Sequence, residues 1–232
     1  MLNLAAYLGS GLALVGVALL AWLVSLVKRD VSIVDSLWSL MFLGILVIYA
    51  AITGANGPRA ILLTGLVAVW ALRLSAHIAW RNRGQPEDHR YREIRRNNEP
   101  GFALKSLYIV FGLQALLAWI IAVPLAVGTG GDEPLGVIDL IGLLLWIGGF
   151  GIESIGDWQL ARFKRQPANR GRVLDTGLWA YTRHPNYFGE CVLWWGYYAI
   201  ALSAGGWWTA FAPLLMTFLL LRVSGVALLE RD

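Results

Sequence analysis

The stretch LAAYLGSGLALVGVALLAWLVSLV, residues 4–27, decides the fold class because it runs for 24 residues without a charged side chain. An α-helix rises 1.5 Å per residue, so roughly 20 apolar residues cross the ~30 Å hydrocarbon core of a bilayer. A helix of a soluble bundle needs a charged face toward water, and this stretch has none. The sequence therefore predicts a membrane-spanning helix.

Similar apolar runs recur along the whole chain, which is 57% hydrophobic and only 15% charged. Glycine, proline or charged residues separate the runs, as expected at helix ends. The predicted helices cover residues 4–27, 33–52, 60–80, 104–127, 137–160, 187–203 and 207–229. The predicted fold is therefore all-α, an integral membrane bundle of seven transmembrane helices that forms a single domain over residues 1–232.

The positive charges sort between the two sides of this predicted bundle. Seven Lys or Arg residues lie in the segment 81–105 and six in the segment 161–186, whereas the loops of the opposite side hold only Arg59. Because cytoplasmic loops carry the excess of Lys and Arg, the N-terminus is expected outside and the C-terminus in the cytoplasm. The net charge of +4 thus follows membrane orientation, and no nucleic-acid partner is expected.

The two basic segments, about 81–105 and 161–186, are interpreted as the walls of a cytoplasmic cup for a phosphate-rich ligand. The planar guanidinium of arginine suits phosphate oxygens. The alternative is that these loops only touch anionic lipid headgroups, at about 1 kcal/mol for each cation. Charge alone leaves both interpretations open.

Carboxyl groups within the predicted spans favour a functional interior, because each costs a few kcal/mol in a bilayer. Glu153 and Asp157 are four residues apart and share one helix face, as do Asn186 and Glu190. Asp35 lies just inside the second predicted helix. Each carboxylate has a structural alternative, a salt bridge to a nearby arginine, and for Asp35 the candidate partner is Arg73.

Several classes of site are not expected from the sequence. No G-x-G-x-x-G follows a strand, and Gly148, Gly149 and Gly151 lie in an apolar run where small residues permit close helix packing. Three histidines without metal-ligand spacing predict no metal site, and the single Cys191 predicts no disulfide.

Three motifs resemble the C-terminal domain of the steroid 5-alpha-reductases, especially a bacterial branch of uncharacterised membrane proteins. They are TRHPNYFGE (182–190), ESIGDWQLARFK (153–164) and NRGQP (82–86), and the stretch DVSIVDSLW (30–38) is similar to the same branch. The resemblance implies an NADPH-dependent oxidoreductase of the CH–CH group in a bacterial cytoplasmic membrane. Its substrate would be the C=C bond of an enone in a steroid-like, 3-oxo-4-ene lipid that enters from the bilayer, and a monomer is expected.

The resemblance also implies residues for the cofactor. The residues that it assigns to NADPH are Asn82, Glu153, Asp157, Lys164, Arg172, Tyr181, Arg183, His184, Asn186 and Glu190.

The catalytic residues implied are Asp35, Glu190 and Tyr187. The characterised steroid enzymes polarise the substrate ketone with a tyrosine on the third helix and a glutamate on the second. The third predicted helix has no tyrosine here, and Asp35 is interpreted as the stand-in for the glutamate.

Two other functions remain open at this point. The R-H-P-x-Y pattern also occurs in membrane methyltransferases of the isoprenylcysteine and phospholipid type, which use S-adenosylmethionine. A transporter or lipid-binding scaffold would explain intramembrane charge but not its clustering on one face. Asn186, Asp157 and the NRGQP loop favour the reductase.

Overall fold

The computed structural model describes residues 2–223, which form helices and loops without a β-strand in that range. Five helices are long and apolar enough to cross a membrane, which suggests a multi-pass membrane protein. A 19-residue helix and a shorter apolar one, Trp207–Arg222, follow them. The total of seven spans and the orientation of the termini stay predictions, and residues 224–229 of the last predicted span lie outside the described part.

The chain forms two compact units, Met1–Asp132 and Glu133–Asp232. The single domain over residues 1–232 stays a prediction. Each unit has its own helix packing, and each holds one of the two basic segments.

Unit 1 is built from four long helices and one short helix. Helix boundaries follow ordinary capping rules: the Asn3 side chain accepts a hydrogen bond from the Ala6 N–H, Gly54 ends a helix at φ 70°, and Pro58 begins the next. The helices are α1 (Leu4–Lys28), α2 (Ile33–Thr53), α3 (Pro58–Asn82), α4 (His89–Asn97) and α5 (Phe102–Gly128), the last containing a π-helical turn at Leu107–Gly112.

The core of unit 1 lies between α2, α3 and α5, and α1 packs along α2 and α5. Its largest side chains are fully buried, among them Phe42, Trp70 and Phe111. The helix α4 lies in a segment that the sequence predicts as a loop, so it is an addition to the predicted elements.

The described part of unit 2, residues 133–223, contains the helices α6 (Val137–Lys164), α7 (Pro185–Ser203) and α8 (Trp207–Arg222). The helix α6 continues four residues past the predicted end at 160. Its last turn holds Arg162 and Lys164, and cations are favourable at the negative end of the helix dipole.

The helices α6 and α7 touch backbone to backbone through glycines spaced seven residues apart. A Cβ atom added at Gly149 would lie 2.5 Å from the carbonyl oxygen of Gly189, and one at Gly196 would lie 2.7 Å from that of Gly142. Only glycine permits so close an approach, as in many packed membrane helices. This contact fixes which side chains of α6 lie opposite which side chains of α7.

Candidate functional site

The glycine contacts bring the predicted acidic residues of α6 and α7 together in unit 2. The Nδ2 of Asn186 donates a hydrogen bond to Oδ1 of Asp157 at 3.1 Å. One level further along, the backbone of Glu153 lies against Gly189, the neighbour of Glu190. The three carboxyl groups are buried, at 2% exposure for Glu153, 8% for Asp157 and 7% for Glu190. We call Glu153, Asp157, Asn186 and Glu190 the acidic cluster.

The loop between α6 and α7 folds back onto the end of α6 through three hydrogen bonds. The indole N–H of Trp179 donates to the carbonyl of Gly156 at 3.1 Å, and the side chain of Gln159 accepts from the N–H of Leu178 at 3.0 Å. The Nδ2 of Asn169 donates to the carbonyl of Phe163 at 2.9 Å and so satisfies a carbonyl of the last helical turn. The loop therefore has a defined path.

This loop and the end of α6 line a cavity of about 1170 Å³ that is open to one side. Its wall carries one carboxylate, Asp175, and a group of basic side chains: Lys164, Arg165, Arg170, Arg172, Arg183 and His184. Two of the cations stand on either side of Gly171, whose φ of 78° makes the tight turn. The cavity is thus strongly positive.

Two residues of the cavity wall stand close to the acidic cluster along the chain. Leu160 lines the cavity and lies one helical turn beyond Asp157. His184 also lines it and precedes Asn186 by two residues. A ligand in the cavity would therefore have cations along one part and buried hydrogen-bonding groups close to the other.

The cofactor residues assigned by resemblance divide into three groups. Those that line the cavity are Lys164, Arg172, Arg183 and His184, and those in the acidic cluster are Glu153, Asp157, Asn186 and Glu190. Tyr181 is 89% exposed on the loop, outside the cavity lining. Asn82 belongs to unit 1, where its Oδ1 accepts a hydrogen bond from Arg81 at 3.2 Å. Their roles in binding stay predictions.

The predicted catalytic residues lie in different surroundings. Tyr187 stacks on His184, with ring centroids 5.5 Å apart, so it is close to a cavity residue. Glu190 belongs to the acidic cluster. Asp35, in unit 1, is a hydrogen-bond acceptor through both oxygens: Arg90 donates at 2.8 Å and the Tyr91 hydroxyl at 2.5 Å. Asp35 therefore forms an ion pair, which is the structural role that the sequence analysis gave as its alternative. Its partner is Arg90, whereas the sequence suggested Arg73.

The neighbourhood of Asp35 is a polar network that the sequence did not reveal. The hydroxyl of Tyr91 accepts a hydrogen bond from Gln114 at 2.9 Å, and Asp88 both caps α4 and pairs with Arg90 at 3.0 Å. The partners of Asp35 are 55 and 56 residues away along the chain, too distant for any local pattern to connect them.

The electrostatics of α4 follow from these contacts. Burial favours the protonated form of Asp88, but the hydrogen bonds and charge of Arg90 outweigh it, and the pKa of Asp88 is lowered. Burial, followed by the negative charge of Asp35, raises the pKa of Tyr91 well above its usual value. The guanidinium of Arg95 donates a bidentate hydrogen bond to Glu87, which raises the pKa of Arg95. The network therefore favours ionised Asp88 and Arg95 and a neutral Tyr91.

Comparison with known proteins gives a family without an assigned activity. An uncharacterised protein of the fission yeast Schizosaccharomyces pombe, C594.04c, is 27% identical over 223 residues, an alignment that covers 83% of this chain and 64% of the yeast protein. The chain thus spans less than two thirds of that relative. No solved structure matches the chain. The model of the family described as "protein of unknown function (DUF1295)" matches residues 21–232, nearly the whole sequence, and the chain belongs to this family.

Proposed function

We propose that this protein is an NADPH-dependent membrane reductase that saturates the C=C bond of an enone in a steroid-like lipid. The observation that carries the proposal is the basic cavity of unit 2, whose wall includes residues close along the chain to the buried acidic cluster of α6 and α7. The resemblance of the same residues to the steroid 5-alpha-reductases supplies the reaction class. Seven spans, a cytoplasmic cavity mouth and a bacterial cytoplasmic membrane belong to this proposal.

The cavity suits the phosphate end of such a cofactor. Its volume of about 1170 Å³ exceeds the roughly 300–1,000 Å³ of pockets for drug-sized ligands, so a dinucleotide is a reasonable occupant. Lys164, Arg170 and Arg172 form no ion pair with any of the residues 2–223. Their charge is available to phosphate oxygens.

The acidic cluster suits groups that donate hydrogen bonds. Carboxylates accept from hydroxyls, so Asp157 and Glu153 fit the ribose hydroxyls of a nucleotide. The Oδ1 of Asn186 is buried and accepts no hydrogen bond from the described part of the chain, while its Nδ2 is held by Asp157. A buried acceptor without a donor is costly, and the carboxamide N–H of a nicotinamide would satisfy it.

When bound, NADPH supplies a hydride to the β-carbon of the enone, and a proton completes the reduced product. The cations of the cavity orient the phosphates, and the acidic cluster fixes the opposite end of the cofactor. Glu190, beside Asn186 on the same helix face, is proposed to hold the reacting end in place. Tyr187 is the candidate to stabilise the developing enolate oxygen through its hydroxyl. Asp35 would do so only in its protonated form, because the carboxylate that accepts from Arg90 and Tyr91 would repel the oxyanion.

A membrane location fits this chemistry because the two reactants differ in solubility. A steroid-like substrate partitions into lipid, whereas a tri- or tetra-anionic nucleotide stays in water. The exposed cavity mouth and the apolar helices offer each reactant its own route.

The test is thermal unfolding of the detergent-solubilised protein with each of three ligands. At ~100 times its dissociation constant, a ligand stabilises the protein by about 2.7 kcal/mol. We expect stabilisation by NADPH, weaker stabilisation by NADH and none by S-adenosylmethionine. Stabilisation by S-adenosylmethionine alone would replace the reductase with the methyltransferase alternative.

A variant pair locates the effect within the molecule. Arg172→Gln removes a cation of the cavity and should weaken NADPH binding by tenfold or more, about 1.4 kcal/mol. Arg96→Gln removes an exposed cation of α4 with the same change of charge and should leave NADPH binding unchanged. Equal losses in both variants would mean that only overall charge matters.

A further inference from the structure

Exposed cations of unit 1 gather where α1 and α4 end. The Nη2 of Arg95 donates a hydrogen bond to the carbonyl of Arg29 at 3.4 Å, so the end of α1 lies beside the last turn of α4. Lys28, Arg29 and Arg96 are exposed there, and Arg92 is exposed one helical turn earlier. None of these four cations pairs with an acidic residue within 2–223.

Of the acidic residues near this patch, Glu87 is already engaged, whereas Glu93 and Glu99 are exposed and form no ion pair within residues 2–223. Both oxygens of Glu87 accept from the guanidinium of Arg95, at 2.7 and 3.0 Å, and Glu87 also accepts from the N–H of Val31. These bonds fasten α4 to the turn after α1. Arg92 and Arg96, spaced four apart on the open side of α4, repel each other and destabilise an isolated helix. An anion from outside the chain would relieve this repulsion.

An apolar surface adjoins the cations. Val27, just before Lys28, is 87% exposed, and Leu104, near the start of α5, is 66% exposed. The indole of Trp22 donates to the carbonyl of Ala103 at 2.9 Å, which holds α1 against the start of α5, the segment that carries Leu104. Along α1 the exposed surface thus passes from apolar residues to cations, the order of layers at the edge of a bilayer.

We propose that this patch, formed by Val27, Lys28, Arg29, Arg92, Arg96 and Leu104, binds an anionic phospholipid. Arg29 and Arg96 hold the phosphate and its headgroup, while Val27 and Leu104 contact the acyl chains. A soluble nucleotide would leave the apolar part without a partner. A zwitterionic lipid brings its own cation, which the unpaired arginines repel. The anionic glycerophospholipid satisfies both parts of the surface, and each cation near it adds to the attraction.

The experiment follows the melting temperature of the purified protein in neutral detergent during titration with phosphatidylglycerol or phosphatidylcholine. Phosphatidylglycerol is expected to stabilise the protein with saturation, and phosphatidylcholine is not. The double variant Arg29→Gln/Arg96→Gln loses two surface cations, and its apparent affinity for phosphatidylglycerol should fall roughly thirtyfold.

The matched control is Arg81→Gln/Arg83→Gln, which removes two exposed cations at the end of α3 and should bind phosphatidylglycerol like the unaltered protein. The proposal is overturned by an equal loss of affinity in both double variants or by no loss in either. Equal stabilisation by phosphatidylcholine would also overturn it. Inorganic phosphate is titrated separately, and a stabilisation as large as that of the lipid would assign the patch to free phosphate instead.

Discussion

Substitution of Gly189 by alanine tests the contact between α6 and α7 on which the acidic cluster depends. The added Cβ would lie 2.4 Å from the backbone nitrogen of Glu153, 2.6 Å from the carbonyl oxygen of Gly149 and 2.9 Å from the Cα of Glu153. All three neighbours are backbone atoms, which cannot rotate away as a side chain would. The two helices must therefore separate by about 1 Å to restore ordinary carbon contacts of ~3.5 Å.

The expected cost combines two opposing effects. Alanine is the better helix former by about 1 kcal/mol, whereas forcing apart a close-packed contact costs about 3 kcal/mol or more. The net loss of about 2 kcal/mol corresponds to a fall of roughly 4–8 °C in melting temperature for a chain of this size. Separation of the helices also increases the distance between Glu153 and Glu190. Because both residues belong to the proposed cofactor site, NADPH affinity should fall by more than tenfold.

The control for this prediction lies on the same helix pair. A Cβ at Gly148 would meet no atom within 4 Å, so Gly148→Ala keeps the helix-propensity gain without the clash. Melting curves and NADPH titrations of Gly189→Ala and Gly148→Ala are compared in one detergent. If the two variants melt alike, the close backbone contact does not stabilise unit 2 and the reasoning is wrong.

Three further predictions concern individual polar residues. Asn186→Ala and Glu190→Gln should each abolish enone reduction without unfolding the protein, since both remove polar contacts and little apolar packing; retained turnover in both would take them out of the site. Asp35→Asn should lower the melting temperature because it removes the charged partner of Arg90. If Asp35 is also the acid, single-turnover oxidation of NADPH with a 3-oxo-4-ene steroid falls by ~10²-fold or more in the folded fraction, whereas normal chemistry would assign Asp35 to structure. Because the folded-state pKa of Asp88 lies below its unfolded value, its contribution to stability is complete above pH ~4 and is lost as the pH falls through the folded-state pKa; melting curves from pH 6 to 3 should show this loss, and Asp88→Asn should reduce it.

The long helices could be predicted from the sequence because their signal is local. An uninterrupted apolar run of the right length identifies a span whatever its neighbours are, and the first five predicted spans match described helices within a few residues. The helix α4 was not predicted because it is short and mostly polar, with Tyr91 as its only buried side chain. Its stability comes from contacts with α1, α2 and α5, which no local pattern reports.

The candidate site was predictable where helical periodicity alone places residues together. Glu153 and Asp157 on one helix, and Asn186 and Glu190 on another, share faces at a spacing of four. Which residues of the two helices lie opposite each other depends on which glycines are in contact. Gly149 makes a backbone contact with α7, whereas an added Cβ at Gly148 or Gly151 would meet open space. Composition predicted close packing, but only the three-dimensional contact selects the glycine.

The pairing of Asp35 shows a second limit of the sequence. Arg73 was the natural candidate because it lies in a neighbouring predicted span. Arg90, the partner in the structure, belongs to a segment whose arginines all appeared equivalent. Burial and hydrogen-bond geometry distinguish them: Arg90 and Arg95 turn toward carboxylates of unit 1, whereas Arg92 and Arg96 stay exposed.

The two basic segments have different electrostatics, and this difference bears on their partners. The segment 81–105 has seven cations and four acids, a net charge of +3, and two of its arginines are held in ion pairs with carboxylates. The segment 161–186 has six cations and one acid, a net charge of +5, and most of its cations line one cavity. Concentrated charge in a concave site attracts a multiply charged ligand more strongly than the same charge spread over a surface. The second segment is therefore the one suited to a nucleotide with three phosphates, while the exposed remainder of the first is suited to single headgroup charges in a lipid layer.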